Sequence, residues 1–175
     1  WDVETSSSGT ANRWTTCGGS SEYLGSLPGT LGDSHSLAIS GDGTTVVGYS
    51  TLNSLSVYAA FRWTAAGGLE RVGELPGFSG SFAYGVSYDG SVVVGVMSNT
   101  PVSRAFRWTP SGGTQNLGAL GTGTASVAYT VSDDGLTVAG ASDQIASSGT
   151  WVPTAFRWTP STGMQPLTLW SGVTS

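Results

Sequence analysis

A five-residue phrase returns along this chain with near-regular spacing. Ala-Phe-Arg-Trp-Thr stands at 60–64, 105–109 and 155–159, and a degenerate Asn-Arg-Trp-Thr at 12–15. The tryptophans Trp14, Trp63, Trp108 and Trp158 are 49, 45 and 50 residues apart. Self-similarity at that period confines the chain to repeat architectures, in which one supersecondary unit is stacked on copies of itself. Two further markers run in phase. Ser40-Gly-Asp42-Gly43, Ser87-Tyr-Asp89-Gly90 and Ser132-Asp-Asp134-Gly135 each precede a short Val-rich run ending in Gly48, Gly95 or Gly140. Leu24-Gly25, Val72-Gly73 and Leu117-Gly118 close the unit, and Leu167 repeats the Leu without its Gly.

The unit reads as strands. Asp-Gly between two apolar runs is a strong hairpin signal, because Gly tolerates the positive φ of a tight turn. The run before it and the Val run after it are therefore a hairpin. Ala-Phe-Arg-Trp-Thr is a third strand. A Gly-rich corner leads to a fourth, read as Leu69 to Leu75 in the second copy. Four short antiparallel strands in 45–50 residues are the size of one propeller blade. Strand alternation puts Phe61 and Trp63, Phe106 and Trp108, and Phe156 and Trp158 on one face. The expectation is an all-β fold of antiparallel β-propeller-like blades, about 3.5–4 repeats in one domain over residues 1–175. The units are approximately 12–50, 51–95, 96–140 and 141–170. The strand total of 14 is short of the four full blades of a small ring, so an arc of a larger propeller or a repeat array is also open. Trp1 to Thr10 is the stretch that could add a strand.

Composition supports this and excludes other classes. Only 10 % of residues are charged, the net charge is −5, and all six basic residues are Arg. A lysine-free acidic chain is a poor ligand for nucleic acid. No apolar run approaches the ~20 residues of a membrane-spanning helix. Hydrophobic residues at 38 % with seven Trp are too many for a disordered linker. Low charge with abundant Gly, Ser and Thr suits a secreted or cell-surface bacterial protein. The chain starts at Trp1 rather than Met, so a signal peptide is expected to lie outside it.

These markers together resemble the HAF-type extracellular repeats of bacterial surface proteins and of some autotransporter passenger regions. The resemblance runs from Arg13 to Leu167. The His that precedes Ala-Phe in that family is Ala59, Arg104 and Thr154 here, and the first copy has lost its Ala-Phe. The resemblance implies location and architecture, with no catalytic residues to carry over.

Candidate functional residues are few. Arg13, Arg62, Arg107 and Arg157 belong to the repeat, as do Asp42, Asp89 and Asp134. Each Asp is expected to cap its own turn, and each Arg to pair with an Asp or with turn carbonyls. Calcium at the Asp-Gly turns is the sharper reading, but one carboxylate per turn is thin for an ion that takes 6–8 oxygens. His35 is the sole histidine; with Asp33, Ser34 and Ser36 beside it a Ser-His-Asp site can be drawn, though adjacency in sequence is not triad geometry. Glu70 and Glu74 read as one solvated strand face. Cys17 is alone, so no disulfide can form within the chain; it reads as a small, half-buried residue, with a thiol that links two chains as the sharper reading. Trp1, Trp151 and Trp170 lie outside the core pattern. Trp151 is read as lying in the longest loop, Ala141 to Pro153; the plainer reading is that it seals a gap between units, and the sharper one is that with Asp143 and Gln144 it makes a sugar-stacking site. The expected function is a non-catalytic extracellular or cell-surface repeat module with a structural, assembly or adhesion role. The alternatives are a glycan-binding propeller using loop aromatics, and a fragment of a larger secreted enzyme. Expected partners are further copies or additional repeats, with surface glycans as a second class.

Overall fold

The computed structural model describes residues 2–5, 9–14, 19–53, 57–145 and 151–167, the side chains of 2–5, 53, 145 and 151 excepted. Among them fifteen strands form four antiparallel sheets. The first sheet holds β1 (Asp2–Thr5), β2 (Ala11–Trp14) and β3 (Ser21–Gly25). The second holds β4 (Ser34–Ile39), β5 (Thr45–Asn53), β6 (Val57–Thr64) and β7 (Gly68–Arg71). The third holds β8 (Gly80–Val86), β9 (Val93–Asn99), β10 (Val102–Thr109) and β11 (Gly113–Asn116). The fourth holds β12 (Ser126–Val131), β13 (Val138–Ile145), β14 (Trp151–Thr159) and β15 (Gly163–Pro166). Each is a meander, with strands side by side in chain order.

One local rule shapes every full sheet. The first strand carries a bulge at the same place, with register shifts between Ser36 and Ala38, Ala83 and Gly85, and Ala128 and Thr130. Opposite it stands the Gly that ends the Val run. A Cβ on Gly95 would lie 1.9 Å from the Phe82 carbonyl oxygen, and the same collision recurs at Gly48 and Gly140. Only a residue without a Cβ lets the bulged first strand approach so closely.

The sheets stack face to face like blades. The Phe/Trp face of each blade packs on the blade before it. Phe61 and Trp63 bury against Ala11, Leu24 and Leu27 of the first. Phe106 and Trp108 bury against Val47, Ala60 and Val72 of the second, and Phe156 and Trp158 against Val94, Ala105 and Leu117 of the third. The three phenylalanines are fully buried. Packing runs from each blade to the next in chain order, and no strands of the first and fourth blades pack comparably among the described residues. The result is an open arc of β-propeller blades.

Three sequence expectations are corrected here. The strand after the Gly-rich corner is Gly68–Arg71, not Leu69 to Leu75, so Glu74 lies beyond it and does not share a strand face with Glu70. The stretch from Ala141 to Pro153 is mostly strand: Asp143 and Gln144 lie in β13, and Trp151 opens β14. Pro153 lies beyond the stretch of β14, residues 156–159, that pairs with β15, and among the described residues no ladder N–H is required of it on that side. The first copy has also kept its Ala. Ala11 is fully buried at the place of Ala60 and Ala105, and only the Phe is replaced, by Asn12. Asp2–Thr5 does add a strand, in the second-strand position beside β2.

Candidate functional site

Asp42, Asp89 and Asp134 each organise their own turn. In the second copy a single carboxylate oxygen, Oδ1 of Asp89, accepts from the Ser87 hydroxyl (2.7 Å), the Ser91 N–H (3.0 Å) and the Ser91 hydroxyl (2.8 Å). The Ser87 hydroxyl oxygen in turn accepts from the Val92 N–H at 3.0 Å. Asp42 and Asp134 repeat the arrangement with Ser40 and Thr44, and with Ser132 and Leu136. The glycines that follow, Gly43, Gly90 and Gly135, take φ values of 74°, 70° and 71°, in the region that favours glycine. Donors aimed at the carboxylate lower its pKa. The Ser91 N–H, then the hydroxyls of Ser87 and Ser91, hold Asp89 down to about 2. Asp42 and Asp134 are lowered by the Ser40 and Ser132 hydroxyls first, then by backbone N–H groups. With Oδ1 committed to three donors in Asp42 and Asp89 and to two in Asp134, these turns are poorly placed to ligate calcium, and no cluster of three His, Cys, Asp or Glu occurs among the described residues.

The arginines reach across the joints. Arg13 donates to the Gly43 carbonyl of the next blade at 3.1 Å, and Arg62 to that of Gly90 at 3.1 Å. Arg107 donates to the Gly135 carbonyl through Nε and Nη2, at 3.3 and 3.2 Å. Arg13 and Arg62 also lie 4.5 and 5.6 Å over the rings of Trp63 and Trp108 in the same neighbouring blades, a cation–π geometry. Their carboxylate partners are Glu22 and Glu70, cross-strand neighbours in their own blades, at 2.8 and 2.7 Å. Arg107 faces Gln115 instead, and burial lowers its pKa. The sequence expectation of turn carbonyls as partners is met for Arg13, Arg62 and Arg107 and not for Arg157, which has no such acceptor among the described residues. The partner acid is a Glu of the adjacent strand rather than the motif Asp.

A serine completes each joint. The N–H groups of Ala11, Ala60 and Ala105 donate to the hydroxyls of Ser34, Ser81 and Ser126 on the first strand of the following blade, at 2.9, 2.9 and 2.8 Å. Sequence reasoning passed over these serines, although Ser81 and Ser126 lie 47 and 45 residues beyond their predecessors, in phase with the repeat.

The remaining candidates disperse. The Ser34 and Ser36 hydroxyls donate to backbone carbonyls of Gly25 and Asn12. The His35 ring points to the other side of β4 and stacks on Tyr49 with centroids 4.7 Å apart. No triad geometry joins them. Glu70 pairs with Arg62, and Glu74 with Arg71 at 3.0 Å. The β13–β14 register sets Ile145 opposite Trp151, Gln144 opposite Val152 and Asp143 opposite Pro153. The backbone thus brings the three sugar-site candidates to one end of one hairpin. Gln144 Oε1 accepts from Thr154 at 3.5 Å, and Gln144 lines an open cleft of about 510 Å³ with Val152, Pro153 and Leu167. The Trp151 side chain, Trp1, Cys17 and Trp170 lie outside the described residues.

The fourth blade departs from the others at its far face. Ala155 and Arg157 are exposed there, whereas Ala60 and Ala105 are fully buried. Leu167 is 53 % exposed, against 7, 1 and 7 % for Leu24, Val72 and Leu117 at the same place in the unit.

No family model matches the chain, and no curated protein matches it. Solved structures do. The structure of a putative TolB from Agrobacterium tumefaciens is 18 % identical with a TM-score of 0.61, over 95 % of this chain and 57 % of that one. TolB from Acinetobacter baumannii is 17 % identical with a TM-score of 0.58, over 95 % of this chain and 39 % of that one. The chain thus spans less than two thirds of either. At this identity the likeness shows the fold: the chain is similar to part of a β-propeller, arranged as an arc of its blades.

Proposed function

We propose that this chain is a non-catalytic repeat module of an exported bacterial protein, with a structural role in a larger surface assembly. The observation that carries the reading is the joint. One set of contacts, Arg to turn carbonyl and Ala N–H to Ser hydroxyl, is used three times, and the far face of the fourth blade presents the same half of it uncovered. Arg13, Arg62 and Arg107 of the repeat are engaged in those joints. The HAF-type markers and the low-charge composition support a location outside the cytoplasm. The test is antibody labelling of intact bacteria making the parent protein, beside a strain whose gene lacks the stretch coding for residues 1–175. Labelling of intact cells, with loss of the remaining protein from the surface of the deletion strain, is the expected result. Labelling only after the cells are opened, or a deletion without effect, sinks the reading.

A glycan-binding module is the second reading. It is favoured by the hairpin register that gathers Asp143, Gln144 and the backbone of Trp151 beside an open cleft. It predicts saturable quenching of tryptophan fluorescence by a member of a glycan panel, abolished in Trp151→Ala. A flat response across the panel counts against it.

A further inference from the structure

The joints say what would cover the fourth blade. At each of the three, the incoming blade contributes a fixed set of groups: a turn glycine carbonyl for the Arg, a first-strand serine hydroxyl for the Ala N–H, and a Phe/Trp pair over the Ala and the Leu or Val. The receiving set recurs on the far face of the fourth blade as Arg157, Ala155 and Leu167. Among the described residues Arg157 has no acceptor, its cross-strand neighbour being Gln165 rather than a Glu. A second copy of this chain cannot supply the missing groups. The near faces of its second, third and fourth blades are already packed on their predecessors. Its first blade has β1 in the second-strand position, and Ser-x-Asp-Gly first occurs at residues 40–43. That blade also presents Asn12 where the others present Phe.

We infer that the far face of the fourth blade is a docking face for one further four-stranded blade of the same repeat, which brings its own Ser-x-Asp-Gly turn to Arg157. The inference rests on the structural reading above and names the partner of that open face.

The test extends the whole chain. In the extended protein residues 118–167 are repeated once after Leu167, which restores the Leu-Gly junction of the third and fourth blades. Arg157→Ala is made in both chains, and Arg62→Ala in the original as the reference for a covered arginine. The expected result is that Arg157→Ala leaves the melting midpoint of the original chain unchanged. In the extended chain it lowers the midpoint by several degrees, about as much as Arg62→Ala does. An Arg157→Ala effect absent from both chains overturns the inference, whether the added blade fails to fold or folds elsewhere. So does concentration-dependent self-association of the original chain that Arg157→Ala abolishes, because the occupant is then a second copy. These outcomes are independent of the surface-labelling result: a positive extension test with a silent deletion strain leaves the docking face and removes the structural role.

Discussion

A carboxylate oxygen that accepts three hydrogen bonds, as in Asp42 and Asp89, or two, as in Asp134, is stabilised in its charged form, which ties three turns of this protein to pH. The Asp89 pKa is held at about 2, below the ordinary 3.8 of an unfolded chain, so folding favours its ionised state. Its contribution is complete above pH ~4 and is lost as pH falls through about 2. Thermal melting followed between pH 5 and pH 2 should show a midpoint that declines below pH ~4, with a shallower decline in Asp89→Asn. An identical slope in that variant would remove Asp89 from the account. The Gly that ends the Val run is constrained more severely. A methyl on Gly95 meets the Phe82 carbonyl at 1.9 Å and Phe106 Cε1 at 2.8 Å, so backbone and ring must both move. Gly95→Ala should destabilise by about 2–3 kcal/mol or more, as over-packing does at its upper end. A chemical denaturation midpoint within error of the parent would mean that the bulge relaxes without cost.

Within a blade, the third and fourth strands are fastened by what stands opposite the repeat arginine. Arg13 faces Glu22 and Arg62 faces Glu70, each paired within 3 Å, whereas Arg107 faces Gln115. Gln115→Glu should therefore add one cross-strand ion pair to the third blade. Such partly exposed pairs contribute about 0.2–1 kcal/mol, and salt screens them. The expected outcome is a small rise in urea midpoint at low ionic strength that fades in 1 M salt; no rise at low salt would show that Arg107 is already satisfied by the Gly135 carbonyl. At this scale the sequence was readable where chemistry and period coincide. Asp-Gly named the hairpins, alternation named the buried Phe/Trp face, and spacing set the blade size. It misled where pairing partners decide the structure. Ala141 to Pro153 looks like a loop because its residues are small and polar, yet β13 and β14 hold each other through Ile145 and Trp151. Glu70 and Glu74 share a period-2 phase, but β11, β15 and β7 all end four residues after the corner, before that phase can be used. The serines of the joint stand in phase with the repeat, but their role was not legible from that spacing: their partners are backbone N–H groups 21 to 23 residues away, which no side-chain pattern names.

Among the described residues the apolar interior is divided into three clusters, one per joint. In such a stack, stability is nearly a sum of what each unit contributes alone and what each interface adds. The second and third blades are packed on both faces and the fourth on one, so the fourth should open locally at lower free energy. The fair comparison is between equivalent outer strands, since β7, β11 and β15 are all sheet edges of four residues. Each follows a turn at a glycine with φ of 64–67° and pairs with the last four residues of a Phe-Arg-Trp-Thr strand. The difference among them is the neighbour: Trp108 and Trp158 close the far sides of the second and third blades, and nothing of the kind covers the fourth among the described residues. Hydrogen exchange read by mass spectrometry should thus find the amides of 163–165 exchanging faster than those of 68–70 and 113–115, with protection independent of protein concentration; Pro166 has no amide hydrogen. Equal protection in all three strands would mean that the far face is covered in the chain as it stands. Protection of 163–165 that rises with concentration would mean that copies cover one another. Either result would move the open end of the arc, and with it the argument for assembly from further blades, away from Arg157.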